Sequence, residues 1–152
     1  MEPETLHIAK DLICAVLARA PRMHIILYHS KSYDSVYIKF DVGVANSCRV
    51  ADHDSKKSHL SYRFNILLNT SRITRDDSGR YPKFFYPVSE IDSLADVIVA
   101  NARQKLDTWG EERYKDFMED NMNKLPDADW QKVTLKSNEG DALVMEKWNY
   151  QL

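Results

Sequence analysis

Residues 49–64 read RVADHDSKKSHLSYRF and lie between two runs with alternating side chains. Before them, residues 36–42 (VYIKFDV) place Val36, Ile38 and Phe40 on one face and Tyr37, Lys39 and Asp41 on the other. After them, residues 60–68 (LSYRFNILL) set Leu60, Tyr62, Phe64 and Ile66 against Ser61, Arg63 and Asn65. A period of two is the signature of a strand with one buried face. The stretch between has no period and is rich in Asp, Ser, His and Lys, which is the chemistry of a loop. Read as a polar loop, with Asp52 and Asp54 capping its turn, it joins neighbouring strands into an antiparallel meander.

Working outward, residues 44–51 form another strand, turned back at Gly43, and residues 23–29 (MHIILYH) form one before it. The predicted sheet therefore has about four antiparallel strands. Leu6, Ile8, Ala9, Leu12, Ile13, Val16 and Leu17 recur at helical spacing, with Pro3 before them and Pro21 after. Residues 69–83 read as a flexible polar loop, and FFYPV as an edge segment, because Pro87 breaks a central ladder. Ile91, Leu94, Ala95, Ile98, Val99, Ala102 and Leu106 mark a helix ended by Gly110, and Tyr114, Phe117, Met118 and Met122 mark a second. Residues 130–136 and 142–148 around SNEGD read as a C-terminal hairpin. Strands cluster and helices cluster, so the expected class is α+β in a single domain spanning residues 1–152.

Composition narrows the function. At 43% hydrophobic, the 152 residues can bury a core, and no apolar run is long enough to cross a membrane. Cys14 and Cys48 are in no metal spacing and read as reduced thiols of a cytoplasmic protein. The net charge of −2 hides an asymmetry: residues 19–83 carry twelve Lys and Arg against six Asp and Glu, and residues 84–152 carry eight against fourteen. A basic half and an acidic half suit charged partners.

Catalytic motifs are weak. His53 and His59 with Asp52 are the candidate working groups of a phosphoesterase or nuclease. The two H-x-S triplets, His53-Asp54-Ser55 and His59-Leu60-Ser61, are too close in sequence to face each other across a substrate. No three or four ligands take zinc spacing, no Gly-rich phosphate loop exists, and no cofactor is expected. Cys48 sits within a predicted strand and reads as a core residue rather than a nucleophile. A helix-turn-helix around Gly110 is opposed by the acidity of EERYKDFMEDNMNK, since a recognition helix carries basic and amide side chains.

Two surfaces remain. Arg49, Lys56, Lys57, Arg63, Arg72, Arg75, Arg80 and Lys83, interleaved with Tyr28, Tyr33, Tyr37, Tyr62 and Tyr81, can track a phosphate backbone and stack bases. Asp107, Glu111, Glu112, Asp116, Glu119 and Asp120 can instead enter a basic nucleic-acid channel on another protein. The plainer reading of the same acidic residues is a solvated helix face with pairs such as Glu111–Lys115.

The string SKSYDSVYIKFD, then SCRVADH, then YRFNI, between His29 and Ile66, resembles a pattern in small uncharacterised proteins of phages and mobile elements of Firmicute-type bacteria. The resemblance spans about a quarter of the chain and assigns no catalytic residue. It implies a setting in which proteins of this size inhibit host defence, anti-CRISPR proteins among them. The expectation is a small binding protein rather than an enzyme. Its partner would be a protein complex that handles nucleic acid, or nucleic acid itself through residues 49–83.

Overall fold

A strand buried on one face and a helix with one apolar stripe each need a partner, and here they supply it to each other. The computed structural model describes residues 4–21, 23, 25–30, 35–41, 46–51, 64–67, 71–77, 82–123 and 130–133. Helix α1 (Glu4–Arg19) is followed by β1 (Ile25–Ser30), β2 (Ser35–Phe40), β3 (Ser47–Ala51), β4 (Phe64–Leu67), β5 (Thr74–Asp76) and β6 (Lys83–Pro87). A single 3₁₀ turn, Val88–Glu90, leads into α2 (Ile91–Trp109); α3 (Glu111–Asn123) and β7 (Trp130–Val133) complete the order. The class is α+β, as expected.

All the described strands share one sheet in the order β5-β6-β4-β3-β2-β1-β7. The meander holds for β1, β2 and β3, which pair antiparallel with Leu27 opposite Ile38 and Ile38 opposite Cys48. It fails at the next step. Strand β4 does lie beside β3, but parallel to it, with Cys48 level with Phe64 and Val50 level with Ile66. Alternation marks which residues share a face and carries no information on strand direction. Residues 52–63 between them number about a dozen, the minimum a parallel crossover requires and far more than a tight hairpin uses. The length of residues 52–63, rather than their alternation, carries the direction of β4.

Two further expectations change for related reasons. Strand β6 is interior: it pairs parallel with β4 and antiparallel with β5. Pro87 is tolerated because it is the last residue of β6 and lies past the reach of β5, whose final partner is Phe85 opposite Thr74. The polar run of residues 69–83, expected as a loop, contains β5, a three-residue edge strand whose side chains are mostly exposed, so it has no apolar alternation to read. Strand β7 pairs with β1, Leu27 opposite Val133. The second strand of the expected C-terminal hairpin, residues 142–148, lies outside the described residues.

One face of the sheet is continuously apolar. Leu27, Ile38, Cys48, Phe64 and Phe84 form one row across five strands, and Val36, Val50, Ile66 and Tyr86 a second. Helices α1 and α2 cover this face: Ile8, Leu12, Ile13 and Val16 join Leu94, Ala95, Ile98 and Ala102 in the same core. A buried Leu or Ile side chain contributes about 1.5–3 kcal/mol relative to exposure, so these rows are the main source of stability. The two helices are also tied at the surface. Arg19 Nε donates to Asp96 Oδ1 at 2.6 Å and its Nη1 donates to the Ala15 carbonyl at 2.7 Å. No helix among the described residues is long and apolar enough to cross a membrane.

Candidate interaction surface

Gly110 sets the corner from which α3 projects. Its backbone, at φ +82° and ψ 161°, occupies a region essentially reserved for glycine, and its N–H closes α2 by donating to the Leu106 carbonyl at 2.9 Å. Helix α3 then starts at once, the Tyr114 N–H donating to the Gly110 carbonyl at 3.0 Å. Its apolar side is short. Tyr114 is fully buried, packed by Leu106, Trp109 and Phe117 in a small cluster distinct from the main core. Trp109 and Phe117 stack with ring centroids 4.8 Å apart, and the Arg113 guanidinium lies over both rings, at 5.9 and 5.5 Å.

The opposite side of α3 is acidic. Glu111, Glu112, Asp116 and Asp120 are exposed and Glu119 is half-buried, with Lys115 among them. At about 100° per residue these five carboxylates centre on the side facing away from Tyr114 and Phe117. Glu111–Lys115 and Lys115–Glu119 have the i,i+4 spacing of favourable pairs. Glu112, Asp116 and Asp120 make a column of like charges at the same spacing, which is unfavourable by about 0.2–0.5 kcal/mol per pair. Asp120 also falls in the last helical turn, and that turn contains no basic residue, so the carboxylate opposes the helix dipole. Glu112 also lies in the first turn, where its charge suits the helix dipole, and Lys115 and Arg113 stand three residues from Glu112 and Asp116. Asp107, the sixth acidic candidate, is exposed in the last turn of α2.

Beneath α3 lies a buried polar group that the alternation pattern misassigned. Asp41 was expected on the outward face of its strand. It is instead buried, just past the end of β2, where the chain turns with φ +45° and the period of two no longer applies. Its Oδ1 lies 3.6 Å from Lys105 Nζ of α2, and the two side chains are 0% and 10% exposed. The Tyr114 phenol is buried close to the same carboxylate. Burial, and then the neighbouring negative charge of Asp41, push the phenol well above its ordinary range, so it stays protonated. Asn46 holds the other end of the β2–β3 connection, its Nδ2 donating to the Ile98 carbonyl at 3.2 Å.

The basic candidates are less coherent. Arg72 and Arg75 are exposed at the β5 edge. Arg75 is engaged locally: Nε donates to Asp77 Oδ1 at 2.8 Å and the guanidinium lies over the Phe84 ring at 5.4 Å. Arg49, expected to face solvent, is 4% exposed and stacks over Tyr37 at 5.6 Å. Its position on the sheet face away from α1 and α2 was readable from alternation, but the degree of cover was not. Lys83 is half-buried. Lys56, Lys57, Arg63 and Arg80, and the catalytic alternatives Asp52, His53 and His59, lie outside the described residues.

Cys48 is a core residue: it is fully buried, and desolvation raises its thiol pKa, the reverse of what a nucleophile needs. Among the described residues, no group of three or more His, Cys, Asp or Glu side chains is placed to hold a metal ion. Comparison of the chain with known protein families, curated proteins and solved structures yields no match.

Proposed function

We propose that this chain is a small binding protein that acts by surface contact, presenting the acidic face of α3 to a basic surface with which another protein handles nucleic acid. In the bacterial setting implied by the resemblance of residues 29–66, it is a phage-type inhibitor of host defence, similar in action to anti-CRISPR proteins. The observation that carries the reading is the Glu112–Asp116–Asp120 column. A cationic partner surface complements such a column of carboxylates.

The test is capture of partners from a Firmicute lysate on immobilised protein, with and without competing DNA or RNA. The expected result is a partner that added nucleic acid displaces and that the triple variant Glu112→Lys, Asp116→Lys, Asp120→Lys no longer retains. Capture that ignores both the variant and the competitor counts against the reading.

A further inference from the structure

We propose that two copies of this chain pair through β5, edge to edge and antiparallel, about a two-fold axis at Thr74. The starting point is the end of the sheet. β5 is the last strand in the order, bonded to β6 on one side and to no other described strand on the second. Such an edge carries a row of backbone N–H and C=O groups that can accept a further strand. Residues 71–75 and 77 are exposed and Asp76 is half-buried. Ile73, at the entry to β5, is 45% exposed, one of two large apolar side chains so exposed among the described residues.

Charges on an edge strand commonly resist pairing, because a copy of the same edge meets its own sign. Here the sign changes along the strand. Residues 72–77 read RITRDD, basic first and acidic last. Laid antiparallel on a copy of itself, the segment sets its basic end against the acidic end of its mate.

Geometry and charge together choose the register. Directly opposite residues of an antiparallel pair point to the same face of the sheet. A two-fold axis perpendicular to the sheet also keeps each residue and its mate on one face, so the axis must pass through a residue position. At Arg75 it opposes two like charges. At Ile73 it leaves Asp76 and Asp77 opposite the neutral residues 70 and 69. At Thr74 the threonine faces its own mate, and Arg72 faces the partner's Asp76 twice over. Threonine pairs and opposite-charge pairs are both favoured across strands. Ile73 then lies opposite the partner's Arg75, whose methylene stem can cover it. Pairing extends β5 by two residues. A contact this short gives a weak, concentration-dependent dimer. It leaves the acidic face of α3 out of the interface and does not depend on the function proposed above.

Sedimentation velocity of the full chain alone, from about 10 μM to about 1 mM, should show a reversible monomer–dimer equilibrium. Arg72→Asp sets like charges opposite each other twice, and Thr74→Arg sets two on the axis. Both positions are exposed, so the monomer fold does not depend on them. Each variant should weaken the dimer about tenfold or more. A disulfide trap reads the register. In a Cys14→Ser background, Thr74→Cys should oxidise to a covalent dimer, whereas Ser71→Cys, opposite the partner's Asp77, should not. A monomer at every concentration would overturn the proposal and leave the edge to a strand of another protein. So would a dimer that neither Arg72→Asp nor Thr74→Arg weakens, or one that Ser71→Cys traps as readily as Thr74→Cys.

Discussion

Cys48 and Tyr114 show what burial does to single groups. Desolvation raises the Cys48 thiol, and desolvation followed by the Asp41 carboxylate raises the Tyr114 phenol; burial also raises Tyr86. Each group holds its proton in the folded state at pH values where the unfolded chain has released it. The folded state then binds more protons than the unfolded state, so stability falls as pH rises. The stabilisation is complete below the ordinary thiol value of about 9 and is lost progressively above it. Half-buried Lys39, whose pKa is lowered by desolvation, pulls in the opposite direction, one group against three. Thermal melts between about pH 7 and pH 10.5 should show Tm falling in the upper part of that range, and Cys48→Ala should flatten the fall even though it lowers Tm at neutral pH. An unchanged slope in the variant would show that the thiol does not contribute. Cys48 as a core residue was legible from its place in an apolar run. Asp41 was not, because a backbone turn with positive φ at a strand end leaves no mark in the alternation.

At the scale of elements, α3 carries a column of like charges, Glu112–Asp116–Asp120. Replacing Asp116 by Lys removes two unfavourable i,i+4 pairs and makes two favourable ones, with Glu112 and Asp120. The expected effect is a stabilisation of about 0.5–1.5 kcal/mol, measured by chemical denaturation, together with loss of partner capture. A destabilised variant would mean that the column is held by contacts within the chain. The helices themselves were readable: α1, α2 and α3 follow the apolar spacing, and Gly110 ends α2 where its lack of a side chain allows the turn. The strands were readable as strands, but their directions and neighbours were not. β5 has no apolar residues to reveal it, and Pro87 points to an edge in sequence because nothing there shows that it ends β6.

At the scale of the molecule, the sheet has one face covered by α1 and α2, and the acidic residues project from α3 at the far end of α2. The charge asymmetry between the two halves was visible in the composition. Only the fold shows that five of the carboxylates share one helix side, whereas Arg49 is buried and Arg75 is paired with Asp77. The measurement that tests the central claim most directly is site-specific photo-crosslinking. A photoreactive phenylalanine derivative is placed either at Lys115, which keeps every carboxylate of the acidic face, or at Arg72 on the β5 edge. The account predicts a protein crosslink from position 115, suppressed by added nucleic acid, and none to that partner from position 72. Crosslinking from position 72 to DNA, RNA or the same partner, with none from position 115, would contradict it.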